Sequence, residues 1–145
     1  MTDIFELLIR DHREVEQLFE QYATNGDDAV AHEICDALTL HSEVEEQVLY
    51  PEVRRIVDGG DDLANIAEGE HGSVRLLVAR VWEAPPADLH PLIGEMRTEV
   101  ARHVASEEND LFRELREAGA DAEALGRKAE AARAEAPSRS SGQVG

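Results

Sequence analysis

Two stretches of this chain repeat one arrangement of potential ligands. His41, Glu45, Glu46, Leu49 and Tyr50 read His-x-x-x-Glu-Glu-x-x-Leu-Tyr. His103, Glu107, Glu108, Leu111 and Phe112 read His-x-x-x-Glu-Glu-x-x-Leu-Phe. Two further histidines share a second pattern, acid-His-x-x-Val, at Asp11-His12 and Glu70-His71. On a helix, residues four apart point the same way. His41 and Glu45 therefore fall together, beside Leu38, Val48 and Leu49. An imidazole and a carboxylate in an apolar stripe are costly unless something neutralises them. Two such carboxylates also repel each other, which raised pKa values or bound cations would relieve. Imidazole and carboxylate donors suit iron, manganese or zinc.

For any single histidine, a core residue bonded to a backbone carbonyl is the simpler reading. Four histidines on four helical stretches, two of them with a glutamate one turn later, favour metal. Glu43, Glu46, Glu52 and Glu108 are read as a solvated face. His32 and His90 lack a ligand-type partner and are expected near solvent.

The elements that must carry these residues are helical. A first helix is predicted from about Thr2 to Thr24, with Ile4, Leu8, Val15, Leu18, Phe19 and Tyr22 at helical spacing. NGDD (25–28) stops it and caps a second helix to about Asp58, with a bend just before Pro51. GGDD (59–62) repeats that punctuation. A third helix continues to about Glu83, with Leu63, Ile66, Val74, Leu77, Val78 and Val81 facing in. A fourth starts near Asp88, tolerates Pro91 in its first turn and ends before Gly119. Asp121 caps a short, Ala-rich fifth helix to about Glu135, which packs across one end or frays. No segment alternates as a strand does. The prediction is all-α: an up-down-up-down antiparallel four-helix bundle over 1–118, a short accessory C-terminal helix over 119–135 and a disordered tail over 136–145.

The chain then reads as two helical hairpins in tandem. His12 and His41 are 29 residues apart, and His71 and His103 are 32 apart. Either separation can bring two side chains to one level across an antiparallel pair. Four histidines and two glutamates would converge on one layer, the glutamates placed to bridge two metals.

Composition agrees. The 145 residues are one domain's worth, with 32 acids against 14 bases and a formal charge of −18. Such a surface repels nucleic acid and anionic membranes and attracts cations. The single cysteine, Cys35, excludes an internal disulfide and a Cys-rich zinc site, and is expected as a small core residue. No apolar run reaches the ~20 residues of a bilayer span, and the N-terminal residues lack a signal peptide's apolar core. A cytoplasmic protein, monomeric or weakly dimeric, is expected.

At these residues the sequence resembles the hemerythrin-like, or HHE cation-binding, family over roughly residues 1–118. The resemblance implies a four-helix bundle around two iron ions (Fe2+/Fe3+, oxo- or hydroxo-bridged). His12, His41, His71 and His103 would be terminal ligands, and Glu45 and Glu107 the bridges. Two departures stand out. Oxygen-carrying hemerythrins have His-x-x-x-His on the third helix, whereas here Arg75 comes four residues after His71. Their fourth-helix bridge is usually an aspartate at His+5, whereas here Glu107 at His+4 is the better candidate. Water or another carboxylate must fill the missing place. Glu68, one turn before His71, is the best placed, with an exposed helical glutamate as its competing reading. Asp11 and Glu70 point elsewhere and are candidate acceptors for ring N–H groups. Tyr50 lies nearly opposite His41 on an ideal helix and is read as packing unless the bend at Pro51 turns it inward.

The implied function is binding, sensing or reaction with dioxygen, a peroxide or nitric oxide, with enzymatic redox activity left open. Ferritin-like iron oxidation or storage is an alternative. That class uses Glu-x-x-His on two helices, and only Glu68–His71 has that order here. A metal-stabilised structural module is the other.

Overall fold

The computed structural model describes residues 2–136, all in helices and their connections, with no strand among the described residues. Helix α1 is Ile4–Asn25. The second long helix has three parts: α2 (Asp28–Val44), a π-helical turn π1 (Glu45–Leu49) and α3 (Tyr50–Ile56). Helix α4 is Gly60–Glu83. The fourth long helix repeats the pattern of the second: α5 (Pro86–Ser106), π2 (Glu107–Leu111) and α6 (Phe112–Glu117). Helix α7 (Ala122–Glu135) closes the described chain. The tail expected over 136–145 lies, apart from Ala136, outside the described residues.

The caps come from residues suited to them. Asp3 Oδ1 accepts the Glu6 N–H at 2.8 Å, Asp27 Oδ1 the Ala29 N–H at 2.9 Å, and Asp121 Oδ1 the Ala124 N–H at 3.1 Å. Each cap of this type is worth about 1 kcal/mol. Gly26 takes φ 62° at the end of α1 and returns its N–H to the Tyr22 carbonyl, a conformation that favours glycine.

Helix α1 packs on α2, and α4 on α5 and α3. Their apolar faces form two clusters. One gathers Phe19, Ile34, Leu38, Leu77, Ile93 and Met96. The other gathers Ile4, Leu8, Leu49, Tyr50, Phe112 and Leu115. Cys35 is fully buried in the first. Ile66 departs from the predicted inward stripe and is 62% exposed. The buried face of that part of α4 runs instead through Gly60, Ala64 and Ala67, small residues that let the neighbouring helix approach, and on to His71. No helix among the described residues is long and apolar enough to cross a membrane.

Candidate metal centre

Six polar residues are buried together where the two clusters meet: His12, His41, Glu45, His71, His103 and Glu107. The Nε2 atoms of His12 and His41 lie 3.2 Å apart, and those of His71 and His103 lie 3.1 Å apart. Glu45 turns Oε2 to His41 Nε2 at 3.1 Å and Oε1 to His71 Nε2 at 2.9 Å. Glu107 turns Oε1 to His12 Nε2 at 3.3 Å and Oε2 to His103 Nε2 at 3.1 Å. Each carboxylate thus offers one oxygen to each histidine pair. The donor atoms fall into two groups, His12–His41–Glu45–Glu107 and Glu45–His71–His103–Glu107, each lying within 4.8 Å of one another. The six residues singled out by the repeat are the six the fold brings together.

The donor set fits cations. Glu45 Oε2 and Glu107 Oε1, the two oxygens facing His41 and His12 at 3.1 and 3.3 Å, are buried and receive no hydrogen bond of good geometry. An orphaned buried acceptor costs about 1–3 kcal/mol, and more when charged. A cation between these oxygens and the Nε2 atoms would satisfy all of them. Without one, protons do part of that work. Burial opposes charge on His41, but Glu45 and the Asp11 contact raise its pKa to about 10. Burial likewise opposes charge on His103, which Glu107 and Glu45 raise to about 12. Burial favours a neutral Glu45 too, yet the charge of His41 and contacts from three imidazoles hold it well below the usual carboxylate range.

Every ring is held from behind. Nδ1 of His41 faces Asp11 at 3.1 Å, Nδ1 of His12 faces Glu108 at 2.6 Å, Nδ1 of His71 faces Glu46 at 2.8 Å and Nδ1 of His103 faces Glu70 at 2.7 Å. A carboxylate on Nδ1–H fixes the tautomer and aims Nε2 inward. Asp11 and Glu70 take the acceptor roles expected of them. Glu46 and Glu108 do not belong to the solvated face. The second carboxylate of each Glu-Glu pair reaches across to a histidine of the other hairpin.

Tyr50 is the residue that an ideal helix misplaces. Its hydroxyl lies 2.7 Å from Glu107 Oε2, 3.1 Å from Glu45 Oε1, 2.9 Å from His71 Nε2 and 3.5 Å from His103 Nε2. The cause is π1, where the Tyr50 N–H bonds back five residues to the Glu45 carbonyl. The wider turn takes up an extra residue and swings Tyr50 and its successors round the helix axis. Pro51 suits such a turn, because its ring crowds a regular one. It is not the cause, since π2 is equally π-helical with Arg113 at the matching position. By the same device Phe112 is turned inward, where it stacks on His12 with ring centroids 6.1 Å apart.

Glu68 is a correction. Its carboxylate pairs with Arg54 at 2.8 Å, half-exposed, and takes no part in the cluster. One turn before His71 is the right face only if the side chain is free to turn inward, and the guanidinium holds it outward. Tyr50 occupies the space beside His71. Arg75, in place of a fifth histidine, pairs with Glu46 at 2.6 Å. Among the control histidines, His90 is exposed, and His32 is half-buried against Trp82 with ring centroids 4.2 Å apart.

On the side of the histidines away from Tyr50 lies a cavity of about 20 Å³, walled by the four imidazoles together with Val15, Leu38, Val74, Val100 and Val104. That is room for about one water-sized molecule.

Comparison with known proteins gives the same direction. The model of the hemerythrin HHE cation-binding domain matches residues 3–115. A protein of Nostoc sp. described as a DNA nickase is 28% identical over 120 residues, 79% of this chain and 34% of that protein. The chain therefore spans about a third of that relative's length. No solved structure gave a significant match.

Proposed function

The chain belongs to the hemerythrin HHE cation-binding family, and on that premise we propose that it is a non-haem di-iron protein that binds, senses or reacts with dioxygen, a peroxide or nitric oxide. The observation that carries this reading is the sharing of Glu45 and Glu107 between two four-residue donor groups. His12 and His41 would hold one ion, His71 and His103 the other, and both carboxylates would span the pair. The Tyr50 oxygen, 2.9 Å from His71 Nε2, would complete the second set, the role sought in Glu68. We read the four long helices as the family's up-down-up-down arrangement.

Iron would supply reversible one-electron chemistry and affinity for small oxygen or nitrogen ligands. The chain's own residues do the rest. The carboxylates on Nδ1 keep each imidazole aimed inward as a neutral donor when a cation is present. The Tyr50 hydroxyl holds a proton against Glu107 Oε2. The small cavity on the imidazole side, walled in part by four valines, has a volume that favours a diatomic molecule or a peroxide over a larger substrate. The charge of −18 repels phosphate, so no nucleic acid enters the proposal. We take the working unit to be a monomer or weak dimer.

Anaerobic reconstitution with Fe(II), then addition of oxygen, peroxide or nitric oxide, tests the reading. Near two irons per chain, with an optical change on ligand addition, supports it. A protein that takes up zinc alone and stays inert to all three ligands would be a structural module, and the proposal would fall.

A further inference from the structure

The family match ends at residue 115, and the chain continues into α7. This helix is seated by its own residues. Leu125 and Ala129 are buried in the cluster that holds Ile4 and Leu8. Gly126 lies against the start of α1, where a Cβ would stand 2.3 Å from the Thr2 carbonyl oxygen. Gly126, Ala129 and Arg133 fall on one helical face. Arg133 Nη2 donates to Asp11 Oδ2. The same oxygen lies 3.1 Å from His41 Nδ1. A short relay, Arg133–Asp11–His41, therefore runs from a half-exposed guanidinium to an imidazole of the metal centre.

The four histidine–carboxylate contacts are not equally supported. Arg13 pairs with Glu108 at 2.5 Å and Arg75 with Glu46 at 2.6 Å, both from within the matched segment. No arginine pairs with Glu70 among the described residues. Asp11–His41, at 3.1 Å, is the longest of the four contacts, and its support comes from α7. Asp11 is a shorter side chain than the other three acceptors. Without Arg133 its carboxylate is free to turn toward water and release the ring. An imidazole whose Nδ1–H is not held loses orientation, and outer partners of this kind are commonly worth 10–100-fold in metal affinity.

We propose that Arg133 is a positioning residue for the metal centre: it fixes Asp11, and through it His41, so that the His12–His41 pair holds its ion at full strength only when α7 is docked. The proposal rests on the metal reading above. Its test uses the full chain loaded with zinc, which is diamagnetic, and compares wild type, Arg133→Ala and Arg133→Lys. Chelator competition reads the affinity of each ion, and NMR reads exchange of the histidine ring N–H protons with water. In Arg133→Ala one of the two zinc ions is expected to weaken by about tenfold. The His41 Nδ1–H should exchange faster while those of His71 and His103 do not change. Arg133→Lys should restore most of both effects, and Arg133→Ala should add nothing in an Asp11→Asn background. Unchanged affinities and unchanged His41 exchange in folded Arg133→Ala overturn the proposal. So does equal loosening of all four rings, which would make α7 a general support of the fold. A wild type that binds neither zinc nor, under anaerobic conditions, Fe(II) overturns the metal reading and this inference with it, whereas wild-type binding with an inert Arg133 overturns this inference alone.

Discussion

Replacing Tyr50 by phenylalanine removes one oxygen from the middle of the site and leaves the ring in place. In the metal-free protein that hydroxyl donates its one proton to Glu107 Oε2 at 2.7 Å, with Glu45 Oε1 at 3.1 Å, alongside the ring nitrogens of His103 and His71 that face the same oxygens. Its proton is held well above the usual phenol range, by burial first and then by the two carboxylate charges, so it acts as a donor at any ordinary pH. Tyr50 is fully buried, and the space left by one oxygen is too small for water to replace it. A hydrogen bond to a charged acceptor contributes about 1.5–3 kcal/mol. Taking about 2 kcal/mol, the metal-free Tyr50→Phe protein should melt about 4–8 °C below wild type. Circular dichroism melts of the two proteins at pH 7 measure this. In the Fe(III)-loaded protein the oxygen meets a cation, which favours the phenolate. Wild type should then show a visible phenolate-to-iron charge-transfer band that Tyr50→Phe lacks. Equal melting temperatures together with one shared spectrum would refute the reasoning, because they would place the hydroxyl outside both the polar network and the metal sphere.

The same geometry sets three further outcomes. Glu45→Gln should lower metal content from two ions per chain to one or none, by metal analysis after dialysis, whereas Glu68→Gln, which disturbs only the Arg54 pair, should leave it unchanged. The metal-free protein should be most stable at mildly acidic pH. His41 and His103, raised from 6.5 to about 10 and about 12, contribute stability that is full below about pH 6.5 and falls away above it, the His41 part being lost as pH rises through about 10 and the His103 part through about 12. Glu45, held below its ordinary 4.5, contributes above that value and loses its contribution as pH falls further. Melting temperatures across pH 3–11 check both limbs, and metal loading at pH 8 should release protons from the two histidines. Finally, Phe112→Tyr should place a hydroxyl near the orphaned Glu45 Oε2 and Glu107 Oε1 and raise the metal-free melting temperature. A lowered value would mean that the oxygen is a steric burden there.

The six clustered histidines and glutamates are legible in the sequence because a repeat carries them. Neither His41 nor Glu45 is informative alone, but the echo at His103 and Glu107 marks both, and helix punctuation by NGDD and GGDD sets the frame. Tyr50 escapes such a reading because the regular helical period puts it opposite His41, and a π turn breaks that period. The signal that could find it is the aromatic at the same offset in both copies, Tyr50 and Phe112. The doubled Glu-Glu could likewise reveal Glu46 and Glu108 as partners of histidine nitrogens. The partner of Glu68 cannot be read, since Arg54 lies 14 positions earlier on another helix. Nor can Arg133, whose partner Asp11 is 122 positions away.

The matching positions Tyr50 and Phe112 let the two halves of the centre differ. Were the hairpin present as two separate identical chains, any substitution would alter both halves at once. Joined in one polypeptide, the halves are free to diverge. One half carries a phenolic oxygen, while its counterpart has a bare ring and two carboxylate oxygens without a hydrogen bond. Two ions held there would not be electronic twins: a hard anionic donor on one side would favour the higher oxidation state there, so a single aromatic hydroxyl would be enough to set the two apart.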